Sequence, residues 1–135
     1  MAASTGTGEA MAGRRGGFTL IELLVVMAII ATLLTIALPR YFQSVQKSKE
    51  AVLKENLYQM RDALQKFYAD RGKYPESIDE LATQRYLRAV PVDPVTESKA
   101  TWIAVAPEDP KAGAVEDVRS GAPGTASSGE PYGQW

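Results

Sequence analysis

The chain has no cysteine and no histidine among its 135 residues. Without cysteine there is no disulfide staple and no thiol nucleophile. Without histidine as well, the Ser-His and Cys-His catalytic arrangements and the common zinc ligand sets are excluded. No glycine-rich phosphate loop is visible. The charge of one sign that a nucleic-acid groove needs is also missing, since 15 basic residues face 16 acidic ones for a net charge of −1. The carboxylates are scattered, with no signal for a paired acid and base. Neither catalysis nor a nucleic-acid partner is expected.

What is present is an unusual order of parts. Arg14-Arg15-Gly16-Gly17 stops abruptly at Phe18, and an apolar run of 21 residues follows to Leu38, interrupted by Thr19, Glu22, Thr32 and Thr35. A secretory signal has its small-residue cleavage site after the apolar core, so the core is discarded. Here the small residues come first. Cleavage after Gly17 would remove the charged leader and leave the apolar segment at the new N-terminus. The run holds no Gly or Pro, so helix is the default. At about 1.5 Å per residue it spans about 31 Å, one hydrocarbon core. A buried core helix is the alternative, but such helices are usually shorter and amphipathic. In the membrane reading Arg14 and Arg15 stay on the cytoplasmic side and the bulk of the protein lies outside.

Glu22 is the anomaly in that run. One reading is a boundary charge that snorkels to the interface. The other supplies a partner: cleavage after Gly17 frees an amine on Phe18, and axially offset subunits would bring Glu22 of one to the Phe18 amine of the next.

Gly17-Phe18-Thr19-Leu20-Ile21-Glu22 resembles the processing site of the type IV pilin-like prepilins, a family that includes type IV pilins, type II secretion pseudopilins and competence pilins. The resemblance covers Arg14 to about Pro39. It implies a prepilin peptidase that cuts between Gly17 and Phe18 and methylates the Phe18 amine. It also implies an assembly role for Glu22 and a helix-kinking role for Pro39. The implied fold is α+β: a long N-terminal helix, transmembrane and then amphipathic, packed on a small antiparallel β-sheet. Residues 1–17 are then a cleaved leader, 18–39 the transmembrane and filament-core helix, 40–71 its amphipathic half, and 72–135 a small head with a C-terminal loop. Met11 opens a seven-residue leader of the family's usual brevity, so translation from Met1 and from Met11 are both open.

Beyond Pro39, Leu53, Leu57, Met60, Leu64 and Phe67 step by threes and fours along one helix face. Tyr41, Val45 and Val52 extend roughly the same stripe upstream. The stripe suits a coiled-coil seam or packing on a sheet, and its shortness favours the sheet. Glu50–Lys54 and Asp62–Lys66 are spaced as i,i+4 ion pairs, each worth about 0.2–0.5 kcal/mol. Pro39 should kink or locally melt the helix, and Gly72 should end it. Ser77-Ile78-Asp79-Glu80 reads as a capping box for a short helix. Residues 101–105 are the best strand candidate and residues 114–118 a weaker one. Asp93-Pro94 marks a turn, and the tail from Ser120 to Gly133 is mostly loop.

Tyr74-Pro75, Leu81, Pro91, Asp93-Pro94 and the closing Tyr132–Trp135 stretch resemble the major pseudopilins of type II secretion systems. Val95-Thr96-Glu97-Ser98 departs from the usual Trp-Gly-x-Pro-Tyr after Asp-Pro. That group implies a calcium ion pinning the C-terminal loops, for which Asp117, Glu116 and Ser120 are the candidate ligands, although the Asp-Gly-rich ligand loop is missing. Tyr132 and Trp135 are the other candidates for pinning the tail. The resemblance implies a subunit of a periplasmic pseudopilus. It would wait in the inner membrane as a single-pass protein with its head in the periplasm. The implied partners are copies of itself, minor pseudopilins, the prepilin peptidase, an inner-membrane assembly platform with its ATPase, and membrane lipid before assembly. The alternatives are a type IV pilin or minor pilin for adhesion, motility or DNA uptake, and an anchored binding domain that never polymerises.

Overall fold

The computed structural model describes residues 16–135. The expected leader, with Met1, Met11, Arg14 and Arg15, therefore lies almost entirely outside the described residues. The chain divides into two units, one ending at Tyr41 and the other running from Phe42 to Trp135.

Helix α1 spans Leu20–Arg71 and contributes to both units. Its start is set by Thr19. The Thr19 hydroxyl accepts from the Glu22 N–H at 3.1 Å, and the Glu22 carboxylate accepts in return from the Thr19 N–H at 3.2 Å. This reciprocal box satisfies two of the donors that every helix start leaves open. Pro39 lies inside α1 and does not interrupt it, so the expected local melting is not found. Lacking an N–H, Pro39 withholds the bond that residue 39 would otherwise give to the Thr35 carbonyl.

In the second unit, the expected stripe of Leu53, Leu57, Met60, Leu64 and Phe67 is fully buried, joined by Ala63. At about 1.5–3 kcal/mol for each large side chain, this stripe dominates the core. Upstream the expectation fails. Tyr41 and Val52 are exposed and Val45 is only half-buried, and the buried residue that continues the spacing is Glu50. Gly72, at φ +71°, closes α1 with its N–H on the Tyr68 carbonyl at 2.8 Å.

Helix α2, Ile78–Thr83, is capped by Ser77, whose side chain accepts from the Glu80 N–H. It carries Leu81 into the core against Trp102, Val115 and Val118. The sheet has two antiparallel strands, β1 (Trp102–Val105) and β2 (Asp117–Ser120), with Trp102 opposite Ser120 and Val105 opposite Asp117. The first strand matches the expectation, while the second begins three residues later than expected. The reason lies in competing bonds: the N–H groups of Ala114 and Val115 both go to the Pro75 carbonyl. The chain crosses Tyr74 so closely here that a Cβ on Gly113 would overlap the Tyr74 carbonyl. The first bond to β1 is made by the Glu116 N–H, to the Val105 carbonyl at 2.8 Å.

Asp93 organises the turn between α2 and β1. Its Oδ1 accepts from Val95 N at 2.9 Å, its backbone pairs with Ser98, and Glu97 closes the turn at φ +57°. The Trp102 indole donates to the Pro91 carbonyl at 2.7 Å, fixing this loop on the sheet.

Candidate functional site

Two regions carry the candidate chemistry, one in each unit. In the first, Gly16, Gly17, Phe18 and Thr19 precede the helix and are exposed, with the Phe18 side chain 86% accessible. The Gly17–Phe18 bond therefore stands outside regular structure. Glu22 sits four residues beyond this junction with its carboxylate on Thr19, receiving the backbone N–H and, at 3.4 Å, the hydroxyl. The acid is thus satisfied locally within one chain, at the mouth of the apolar segment. This cap was missed in the sequence. Its signal was there, because Thr19-x-x-Glu22 has the same spacing as Ser77-x-x-Glu80.

The apolar segment that follows is long and apolar enough to cross a membrane, and none of its most apolar stretch is buried. Its polar atoms are cared for internally. Thr32 and Thr35 donate to the Ala28 and Ala31 carbonyls, each at 2.8 Å. Hydroxyls bonded to their own helix need no water, which suits hydrocarbon.

In the second unit, a ladder of polar side chains on α1 grips the C-terminal strap, residues 126–135. Glu50, buried, accepts from the Ser127 N–H and hydroxyl, both at 2.7 Å. It also accepts from the Tyr132 hydroxyl at 3.0 Å and the Gln46 amide at 3.4 Å. Burial pushes the Glu50 carboxyl up, but the bonds from Ser127, Tyr132 and Gln46 outweigh it and hold the group below its ordinary value. One turn on, the Lys54 ammonium lies 4.8 Å from the centre of the Trp135 ring. The expected Glu50–Lys54 pair is therefore not formed, because both members are engaged by the strap. The expected Asp62–Lys66 pair is present at 2.9 Å. Two turns beyond Lys54, Arg61 bonds Asp117 at 2.8 Å, the Val118 carbonyl at 3.0 Å and the Trp135 carbonyl at 2.5 Å.

The tail is pinned by its aromatic residues. Tyr132 is buried and meets Trp135 edge to face with ring centres 5.3 Å apart. Burial raises the Tyr132 phenol above its ordinary value, and the Glu50 charge adds to this, with Gln46 opposing. The oxygens assigned to calcium by resemblance do not converge. Asp117 is held by Arg61, Ser120 bonds Asp93, and Glu116 is exposed with its N–H on the Val105 carbonyl. Among the described residues no three metal-ligating side chains gather. These residues do not fit the ion.

Residues 13–38 match the prokaryotic N-terminal methylation motif. The type IV major pilin protein PilA of Myxococcus xanthus is 37% identical over 68 residues, which is 50% of this chain and 31% of that protein. The type II secretion system core protein G of Xanthomonas campestris is 27% identical over 70 residues, 52% of this chain and 49% of its own length. The type IV major pilin protein PilE1 of Neisseria gonorrhoeae is 39% identical over 64 residues, 45% of this chain and 37% of that protein. The chain thus spans 31% to 49% of the length of these curated relatives. No solved structure matches significantly.

Proposed function

We propose that this chain, whose N-terminal region is that of the type IV pilin-like prepilins, is a structural subunit of a helical filament and not an enzyme. The observation that carries the reading is the order of parts at the N-terminus. An exposed Gly17–Phe18 junction leads into a Thr19–Glu22 cap and then into an apolar helix with nothing buried against it. A prepilin peptidase cleaves after Gly17 and the new Phe18 amine is methylated. The subunit waits in the inner membrane, its head in the periplasm. An assembly platform and its ATPase then move the apolar helices from lipid into a bundle of their own kind. Glu22 guides this step: the Phe18 amine of a neighbour replaces Thr19 as partner and neutralises the carboxylate away from water.

Within that class we propose a pseudopilin of a type II secretion system, on the similarity to core protein G and the turn at Asp93-Pro94. A type IV pilin is the second reading, favoured by the higher identity to the Myxococcus and Neisseria pilins. Deleting the gene in its host separates them. Loss of exported proteins from the medium with surface filaments intact supports the first reading, and loss of surface filaments with export intact supports the second. Mass spectrometry of the mature protein tests the shared part, which requires N-methylated phenylalanine from position 18. Material that retains Arg14-Arg15 overturns it.

A further inference from the structure

The carboxylate that fastens the C-terminal strap to α1 forms no ion pair among the described residues. Every bond to Glu50 comes from a neutral donor: the Ser127 amide and hydroxyl, the Tyr132 phenol and the Gln46 amide. Neither ion pair found among the described residues includes it. A buried carboxylate held in this way owes its grip to its charge, because charge-assisted bonds are roughly twice as strong as neutral ones. A proton on Glu50 would also turn one acceptor oxygen into a donor facing other donors.

We propose that Glu50 is an acid-sensitive catch for the C-terminal strap: ionised, it holds Ser127 and Tyr132 on the helix, and protonated, it lets the strap detach while the remaining core stays folded. The strap is built to move as a piece. Ala126 N–H bonds the Glu130 carbonyl, and Thr125 bridges Pro131, so the segment carries its own small turn. Gly124 precedes this turn and Gly129 lies within it, at φ +89° and +88°, with open space around both. The core that stays behind is earlier in the chain: the α1 stripe buried with Leu81, Trp102, Val115 and Val118.

The other charged and titratable groups at this face do not take over the catch. Lys54, on α1, is spent on the Trp135 ring. Within the strap, Tyr132 is kept neutral by burial and Glu130 is exposed. From β2, Asp117 pairs with Arg61, whose two further bonds go to carbonyls that do not titrate. The sign follows from the lowered Glu50 pKa. The catch is at full strength above the ordinary carboxylate value of 4.5 and is lost as pH falls through the lower value it has when engaged. It operates whichever filament the subunit builds.

Hydrogen-exchange protection on the full chain in detergent micelles tests this. Between about pH 6 and about pH 3, protection of the Ser127 amide should drop at least about tenfold, the worth of one hydrogen bond to a charged group, while amides from Leu57 to Leu64 keep theirs. Glu50→Gln should leave Ser127 poorly protected at both pH values. Tyr132→Phe, which removes one donor to the ionised form, should move the drop to higher pH, and Asp117→Asn should leave it in place. The catch is refuted if strap and helix lose protection together, if Glu50→Gln retains the drop, if Tyr132→Phe does not move it, or if Asp117→Asn abolishes it.

Discussion

The Ser120 hydroxyl donates to Asp93 Oδ2 at 2.5 Å, and neither residue has any exposed surface. This bond ties the turn before β1 to the end of β2. It also supplies the only donor recorded for that carboxylate oxygen among the described residues. Ser120→Ala leaves the oxygen dry and unbonded, which should cost about 1–3 kcal/mol. A lower denaturant midpoint with unchanged slope is the expected result. An unmoved midpoint would mean that Asp93 gains another donor.

Arg61 draws together three acceptors that no shorter or single-pronged side chain can reach at once. Its ion pair with Asp117 is a third exposed on each side and counts for little by itself. The carbonyl bonds to Val118 and Trp135 count for more. Arg61→Lys should therefore destabilise the strap nearly as much as Arg61→Ala, because an ammonium lacks the guanidinium fork. Trp135 fluorescence during denaturation reads this, and full rescue by Lys would assign the effect to charge alone.

Glu22 combines a cap with a charge, and two substitutions separate them. Glu22→Gln keeps an oxygen for the Thr19 N–H and should preserve the helix start at Leu20. Glu22→Ala loses the cap, at about 0.5–2 kcal/mol. Both variants should remain in the membrane fraction, and both should fail to give the ladder of crosslinked subunits that a filament yields in whole cells. Filaments from Glu22→Gln would show that the cap, and not the charge, is what assembly needs.

Alkaline titration should loosen the head. Burial raises Tyr132 and, with help from Glu116 and Tyr68, Tyr74 above the phenol value of 10.0. In the folded state the neutral forms are favoured. This contribution is intact below 10.0 and is lost as pH rises toward the raised folded values. Thermal midpoints measured against pH should fall above about pH 10, and less steeply in Tyr132→Phe.

Much of the architecture was legible because it rests on period and capping. Leu53 to Phe67 announced a buried helix face by spacing alone, and Ser77 announced α2. Glu50 was misread because an acid followed four residues later by a lysine looks like a solvated pair. Its place three residues before Leu53, on the buried stripe, was the contrary signal. The late start of β2 was not legible, since it depends on the Pro75 carbonyl, forty residues away, taking the N–H groups of Ala114 and Val115. The strap has no periodicity: Ala126 and Tyr132 are buried in the core cluster with residues of α1 and β2, not by any local pattern. At the N-terminus the Thr19-x-x-Glu22 spacing is legible as a cap, but an acid inside an apolar run reads first as a charge.

The unburied run after Thr19 has a practical corollary for the subunit's travels. From Leu20 to Leu38 every side chain is exposed, and the largest are aliphatic. At about 25 cal/mol for each Å² of apolar surface wetted, a free excursion into water would be prohibitive. If the subunit assembles as proposed, its transfer between bilayer and fibre is a direct handover, with one greasy medium touching the next throughout. A stray monomer has nowhere aqueous to wait.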